Sequence, residues 1–113
     1  MHSDKLTKTA EVRRLNDRLR TTLQGGRIVV TSGVDALGPE RLQRLLVRLR
    51  AFDEFDEAND PYSEHDFGGF DHEGEEFLWK IDYYDASLTF HSDDPADPAK
   101  TVRVLTLMLA HEY

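Results

Sequence analysis

The nine residues Glu76-Phe77-Leu78-Trp79-Lys80-Ile81-Asp82-Tyr83-Tyr84 constrain the fold more than any other stretch of the chain. Successive side chains of a strand point to opposite faces, so Phe77, Trp79, Ile81 and Tyr83 fall on one side and Leu78, Lys80, Asp82 and Tyr84 on the other. The first row is core and needs a covering layer, which helices elsewhere in the chain can supply. The second row sets a cation, a carboxylate and a phenol in mid-strand, where a rigid sheet holds them in place. A plainer reading makes that row a solvated face, with Lys80 paired to a cross-strand carboxylate such as Asp66 and little stability at stake.

Periodicity supplies the other elements. Val12, Leu15, Leu19 and Leu23 recur at helical spacing from Thr9, and Gly25-Gly26 stops that helix. Arg27 to Thr31 is a short β-branched run. Pro39 fits the first turn of a second helix with the stripe Leu42, Leu45, Leu46, Leu49 and Phe52. Asp53 to Glu64 reads as an acidic loop. His65 to Asp71 and Glu76 to Tyr84 flank a turn at His72-Glu73-Gly74-Glu75 and predict a hairpin, which Ser87 to His91 extends as a meander. Gly68-Gly69 inside the first of these strands predicts a bulge or a close backbone approach. After Asp94-Pro95-Ala96-Asp97-Pro98, the apolar residues Val102, Val104, Leu105, Leu107, Met108 and Leu109 predict a last helix from about 99 to 111. Apolar on most of its circumference, such a helix is buried on more than one side, by the rest of the fold or by a second subunit. The expectation is a single α+β domain over residues 1–113, with residues 1–8 as a disordered lead-in. Its order is α-β-α-β-β-β-α, with helices on an antiparallel sheet of three to four strands.

Charge is divided between the halves. Residues 1–50 hold eleven basic and five acidic side chains, and residues 51–113 hold three basic and seventeen acidic ones, for a net charge of −8. Between Arg50 and Lys80 lie eleven carboxylates and no cation. A polarised surface of this kind steers charged partners. Cysteine is absent, which excludes disulfides, thiolate zinc sites and cysteine nucleophiles. The first residues lack the apolar core of a signal peptide, and no stretch approaches the roughly 20 apolar residues of a membrane span. A cytoplasmic protein without membrane contact is expected.

Several runs carry a resemblance: Leu15-Asn16-Asp17 with Gly25-Gly26-Arg27, Glu64-His65-Asp66-Phe67-Gly68, and Phe77-Leu78-Trp79-Lys80-Ile81-Asp82-Tyr83-Tyr84. It continues through Asp94-Pro95-Ala96-Asp97-Pro98, Arg103-Val104-Leu105-Thr106 and Glu112-Tyr113. From about residue 10 to its end the chain resembles a bacterial family of small domains of unknown function, often encoded on plasmids and other mobile elements. The resemblance implies a setting in mobile-element biology and brings no catalytic residues.

Three chemistries compete. His65-Asp66 with His72, His91, Asp93, Asp94 and Asp97 contains the residue types of a metal or hydrolytic site, but at no recognised spacing. Arg41, Arg44 and Arg48 form a basic strip on helix two. In a chain of net −8 its expected partner is the internal acidic loop, and direct nucleic-acid binding is not expected. The acidic half, with Phe52, Phe55, Tyr62, Phe67, Phe70 and Phe77 among its carboxylates, suits a basic protein partner. The favoured reading is a non-enzymatic acidic protein-binding or regulatory module, without cofactor or metal. Its contact residues are Tyr62, His65, Asp66, Lys80, Asp82 and Tyr84, and it self-associates through the last helix. The alternatives are an anionic nucleic-acid mimic that inhibits a defence or DNA-handling protein, and a small hydrolase or metal-dependent enzyme using His65 and Asp66.

Overall fold

The computed structural model describes residues 2–113, with side chains from residue 7 onward. Its elements are α1 (His2–Thr22), β1 (Arg27–Val30), α2 (Ser32–Asp35), α3 (Pro39–Arg50), β2 (Phe67–His72), β3 (Glu75–Tyr84), β4 (Val102–Leu109) and a 3-10 turn (Ala110–Glu112). The strands form one sheet in the order β1-β4-β3-β2. β1 runs parallel to β4, and the remaining neighbours are antiparallel.

Helices α1 and α3 cover one face of this sheet. Val12 and Leu19 of α1 and Leu45 and Leu49 of α3 meet Phe77, Trp79, Ile81 and Tyr83 of β3 and Leu105 and Leu107 of β4 in a single core. The alternation read from β3 is therefore the one that folds. On the opposite face Leu78, Lys80, Asp82 and Tyr84 of β3 and Val102, Val104 and Thr106 of β4 are half-buried, and none of them joins the core.

The β2-β3 hairpin turns on Glu73 and Gly74, both at positive φ (50° and 84°), as a two-residue primed turn requires. Its register is continuous from Phe67↔Lys80 to His72↔Glu75, so Gly68 marks a close approach and not a bulge. A Cβ on Gly68 would lie 2.6 Å from both Phe52 Cζ and Trp79 Nε1. At the same end of the strands as this hairpin turn, on the β1 side of the sheet, Glu112 ties three elements together. Its Oε1 accepts from the Thr31 hydroxyl (2.6 Å) and the Leu109 N–H (2.8 Å), and its Oε2 accepts from the Gly33 N–H (3.1 Å).

Four expectations are corrected. The sheet is mixed, because β1 pairs in parallel with β4. The apolar run expected as the last helix is a strand, β4, so the self-association surface expected on that helix is not formed. A strand in the middle of a sheet reads as a near-continuous apolar run, and Val102, Val104 and Thr106 bring β-branching that favours it. The two Asp-Pro steps before it make turns: the Asp97 N–H reaches Asp94 O at 2.9 Å and the Lys100 N–H reaches Asp97 O at 3.1 Å. Ser87 to His91 is a tight turn and not a strand, touching the sheet by a single bridge between Tyr84 and His91. Residues 2–8, expected as a disordered lead-in, continue α1, and the four-residue α2, capped by the Thr31 hydroxyl, was not anticipated.

Candidate functional site

β3 is ten residues long and outruns its neighbour β2, and the site lies where β2 gives out. Asp66 O accepts the Ile81 N–H at 2.8 Å, which is the last hydrogen bond on that side before the chain leaves the sheet. Two residues further along β3 the Ser92 N–H donates to Tyr83 O at 3.0 Å. The segment that resumes the edge is delivered by Asp85, whose Oδ1 gathers the N–H groups of Ser87 (3.1 Å), Thr89 (3.2 Å) and Phe90 (3.4 Å) and the Ser87 hydroxyl (2.7 Å). Between the two segments a cleft of about 260 Å³ remains, lined by Asp66, Ile81, Asp82, Tyr83, Tyr84 and His91.

Tyr83, which lines the cleft, is held from behind by a buried hydrogen-bond network. Arg103, 2% exposed on β4, donates from Nε to Asn16 Oδ1 at 2.8 Å and from a terminal nitrogen to Pro95 O. Asn16 Nδ2 donates to Tyr83 Oη (2.7 Å) and to Glu64 O (3.0 Å), and the Tyr83 hydroxyl donates to Glu64 Oε1 at 2.7 Å. Burial first, and then the bond to Glu64, push the Tyr83 phenol far above its ordinary range, so it stays a donor. Burial pulls the Arg103 guanidinium below its ordinary value, with Tyr83, Glu11 and Glu64 opposing. Satisfied buried networks of this kind specify a single arrangement, and this one fixes Glu64 two residues before Asp66.

The electrostatics of the cleft centre on Asp66. Its carboxyl is raised from the usual range by burial and then by the neighbouring charge of Glu64. Its own backbone N–H opposes the shift, and Asp60 and Asp82 add to it. No cation pairs with it among the described residues. Lys80 Nζ instead lies 2.9 Å from Asp82 Oδ2, both side chains being about 40% exposed (40% and 38%). That pairing corrects the expected Lys80–Asp66 contact, and the reason is register: Lys80 faces Phe67 across the strands, which leaves Asp66 opposite Ile81. The Asp82 hydrogen bond raises the Lys80 ammonium.

Of the six residues expected at a binding site, Asp66, Asp82 and Tyr84 line the cleft and Lys80 borders it through Asp82. His65 is drawn to the helical side, stacked on Phe55 at 3.7 Å between centroids. Its Nδ1 lies 2.8 Å from Asp17 Oδ1 and its Nε2 3.5 Å from Asp60 Oδ2. Tyr62 stands 79% exposed on the loop, outside the cleft. Ile81, Tyr83 and His91 also line the cleft and were outside the binding set; the first two belong to the apolar row of β3, and the turn-forming Asp85-Ala86-Ser87 is the sequence signal that leads to His91.

The competing chemistries find less support in the geometry. Among the described residues no three His, Asp or Glu side chains converge as a metal site. His65 and Asp66 diverge, Asp94 and Asp97 cap turns, and His91 Nδ1 is taken by Ser92 O at 2.8 Å. The arginine strip of α3 does have an internal partner, but mainly the hairpin turn. Arg41 meets Glu73 (3.0 Å) and Glu75 (2.6 Å), Arg44 meets Glu73 (2.9 Å), and only Arg48 reaches the acidic loop, at Glu54 (3.5 Å). Of the aromatic residues expected as surface anchors, Phe52, Phe70 and Phe77 are buried in the core.

No curated protein and no solved structure matches the chain. One protein family does, described as a protein of unknown function (DUF3768), and its match spans residues 30–112, from the end of β1 to the 3-10 turn. The chain belongs to the DUF3768 family.

Proposed function

We propose that this domain is a non-enzymatic binding module that docks a protein with a basic surface, taking a lysine or arginine side chain into the cleft between Asp66 and His91. The observation that carries this reading is Asp66 itself: a half-buried carboxylate beside three others, set in a cleft and paired with no cation among the described residues. A carboxylate held at a cost to folding is a mark of a functional position. A partner cation would meet Asp66 and Asp82 together, with the Tyr84 ring giving contact area. The setting on plasmids and mobile elements, implied by the resemblance, suits a partner that handles DNA, since such proteins carry basic surfaces. The nucleic-acid mimic is the weaker version of the same idea, because Glu54, Glu73 and Glu75 are taken up by arginines and half of the expected aromatic anchors, Phe52, Phe70 and Phe77, are buried.

The test is capture of partners from host lysate on wild-type protein and on the Asp66→Asn/Asp82→Asn double variant, eluted in salt steps. A basic protein retained by the wild type, released by salt and lost from the variant is the expected result. Equal retention on both proteins, or retention insensitive to salt, contradicts the reading.

A further inference from the structure

β2 is an edge strand, paired among the described residues only with β3. The bond from the Ile81 N–H to Asp66 O fixes the phase of the β2-β3 ladder: residues 66, 68, 70 and 72 turn their backbone groups toward β3, and Phe67, Gly69 and Asp71 turn theirs outward. No described residue hydrogen-bonds to the outward groups of these three. Natural sheets protect such edges with lysine, proline, bulges or a covering segment. β2 (Phe-Gly-Gly-Phe-Asp-His) contains neither lysine nor proline, and its register is unbroken.

What lies along the edge defines the occupant. A cleft of about 450 Å³ is bordered there by Arg48, Glu54, Gly69, Asp71, Glu76 and Leu78. Gly69 projects no side chain into it, and a Cβ there would come within 2.8 Å of Leu78 Cδ2, so an incoming backbone meets little obstruction. Asp71 and Glu76 stand directly opposite each other in the register. Like charges so placed are destabilising, and a cation beside them removes the penalty. Arg48 does not serve, since its guanidinium sits 4.8 Å from the centroid of the Phe70 ring and 3.5 Å from Glu54. Three carboxylates against one engaged cation repel a second copy of this chain and attract a cationic segment.

We infer that β2 takes an extended, lysine- or arginine-bearing segment of the partner protein as a fifth strand. Backbone hydrogen bonds to Phe67, Gly69 and Asp71 hold it, and a cationic side chain rests between Asp71 and Glu76. This rests on the reading of the domain as a binder of basic proteins, and adds the mode of binding and a contact surface separate from the Asp66–His91 cleft.

The test uses the full chain, labelled with ¹⁵N, and a capped Lys-Val-Lys-Val-Lys-Val peptide at low salt, with the Glu-Val counterpart as control. The expected result is shift changes and hydrogen-exchange protection at the Phe67, Gly69 and Asp71 amides with the cationic peptide alone. Asp71→Pro removes an outward N–H and the Asp71 carboxylate without touching the ladder to β3, and weakens binding at least about tenfold, roughly one hydrogen bond with the lost charge contact added. Glu76→Gln weakens it severalfold. The exchange measurement needs no variant, so a poorly folded Asp71→Pro protein leaves the test intact. Response of the Asp66–His91 cleft with a silent β2 edge overturns this inference and leaves the binding reading standing. A peptide that perturbs neither region counts against both. Wild-type affinity in a folded Asp71→Pro protein, or a doubled mass without peptide, also overturns it.

Discussion

Replacing Asp66 by Asn should make the isolated domain more stable, which is the opposite of what removing a native side chain usually does. Burial and then the charge of Glu64 raise the carboxyl, and Asp60 and Asp82 act in the same sense. A carboxyl whose folded pKa lies above its unfolded value contributes its full stability below the unfolded pKa and loses it as pH rises through the folded one. At neutral pH the ionised group is therefore a net cost, and the neutral isostere removes it. The side chain is only partly buried, so each like-charge neighbour is worth a few tenths of a kcal/mol after screening, and the total gain is about 0.5 kcal/mol. For a domain of this size that is a rise of about 2 °C in Tm. Urea unfolding followed by the fluorescence of Trp79, the sole tryptophan and fully buried, measures it directly. The gain should shrink as pH falls through the raised carboxyl range and as salt is added. A variant less stable than wild type at neutral pH, or a gain that persists in acid, would refute the argument, because either result means the carboxylate makes a stabilising contact.

Other sites give losses. Gly68→Ala forces a Cβ against Phe52 and the Trp79 indole and should cost about 2 kcal/mol, visible as a lower urea midpoint. Asn16→Leu strands Arg103 Nε in the interior and takes from the Tyr83 hydroxyl the N–H it accepts, leaving it only its bond to Glu64, and should cost about 3 kcal/mol by the same assay; a loss under 1 kcal/mol would mean the network relaxes around the gap. Glu112 is the reverse of Asp66. The Thr31 hydroxyl, then the Leu109 N–H, hold its carboxyl below the usual range, so its contribution is present above the unfolded pKa and lost as pH falls through the folded one. Glu112→Gln should lower Tm at neutral pH and flatten the acid limb of the stability profile, as a thermal melt series across pH will show.

The parts of the fold visible in the sequence are those where one face is buried and one is not. α1, α3 and β3 each show a single apolar row, and Leu19, Leu45, Leu49, Phe77 and Trp79 sit at the centre of the core. β4 was misread because Leu105 and Leu107 face the helices while Val102 and Val104 occupy the other side half-buried, which erases the alternation. Length and β-branching were the usable discriminants. Within the site, Asp66, Asp82 and Tyr84 were legible from the polar row of β3 and the run that precedes β2. His65 was not separable from Asp66 by sequence, because its positive φ (56°) and its stack on Phe55 send it to the other side of the sheet. The internal pairing of Arg41 and Arg44 was foreseen in kind, and its carboxylates were misplaced by about fifteen residues along the chain, since only the hairpin brings Glu73 and Glu75 against α3.

The most direct measurement of the central claim sets stability and binding side by side in the Asp66→Asn/Asp82→Asn variant. Association and dissociation with the captured partner are followed over a range of salt, and urea unfolding is run on the same samples. The account predicts a variant no less stable than wild type that binds at least about tenfold more weakly, with a shallower dependence of the association rate on salt. A variant that binds as wild type does, or that loses binding only in proportion to lost folding, would contradict it.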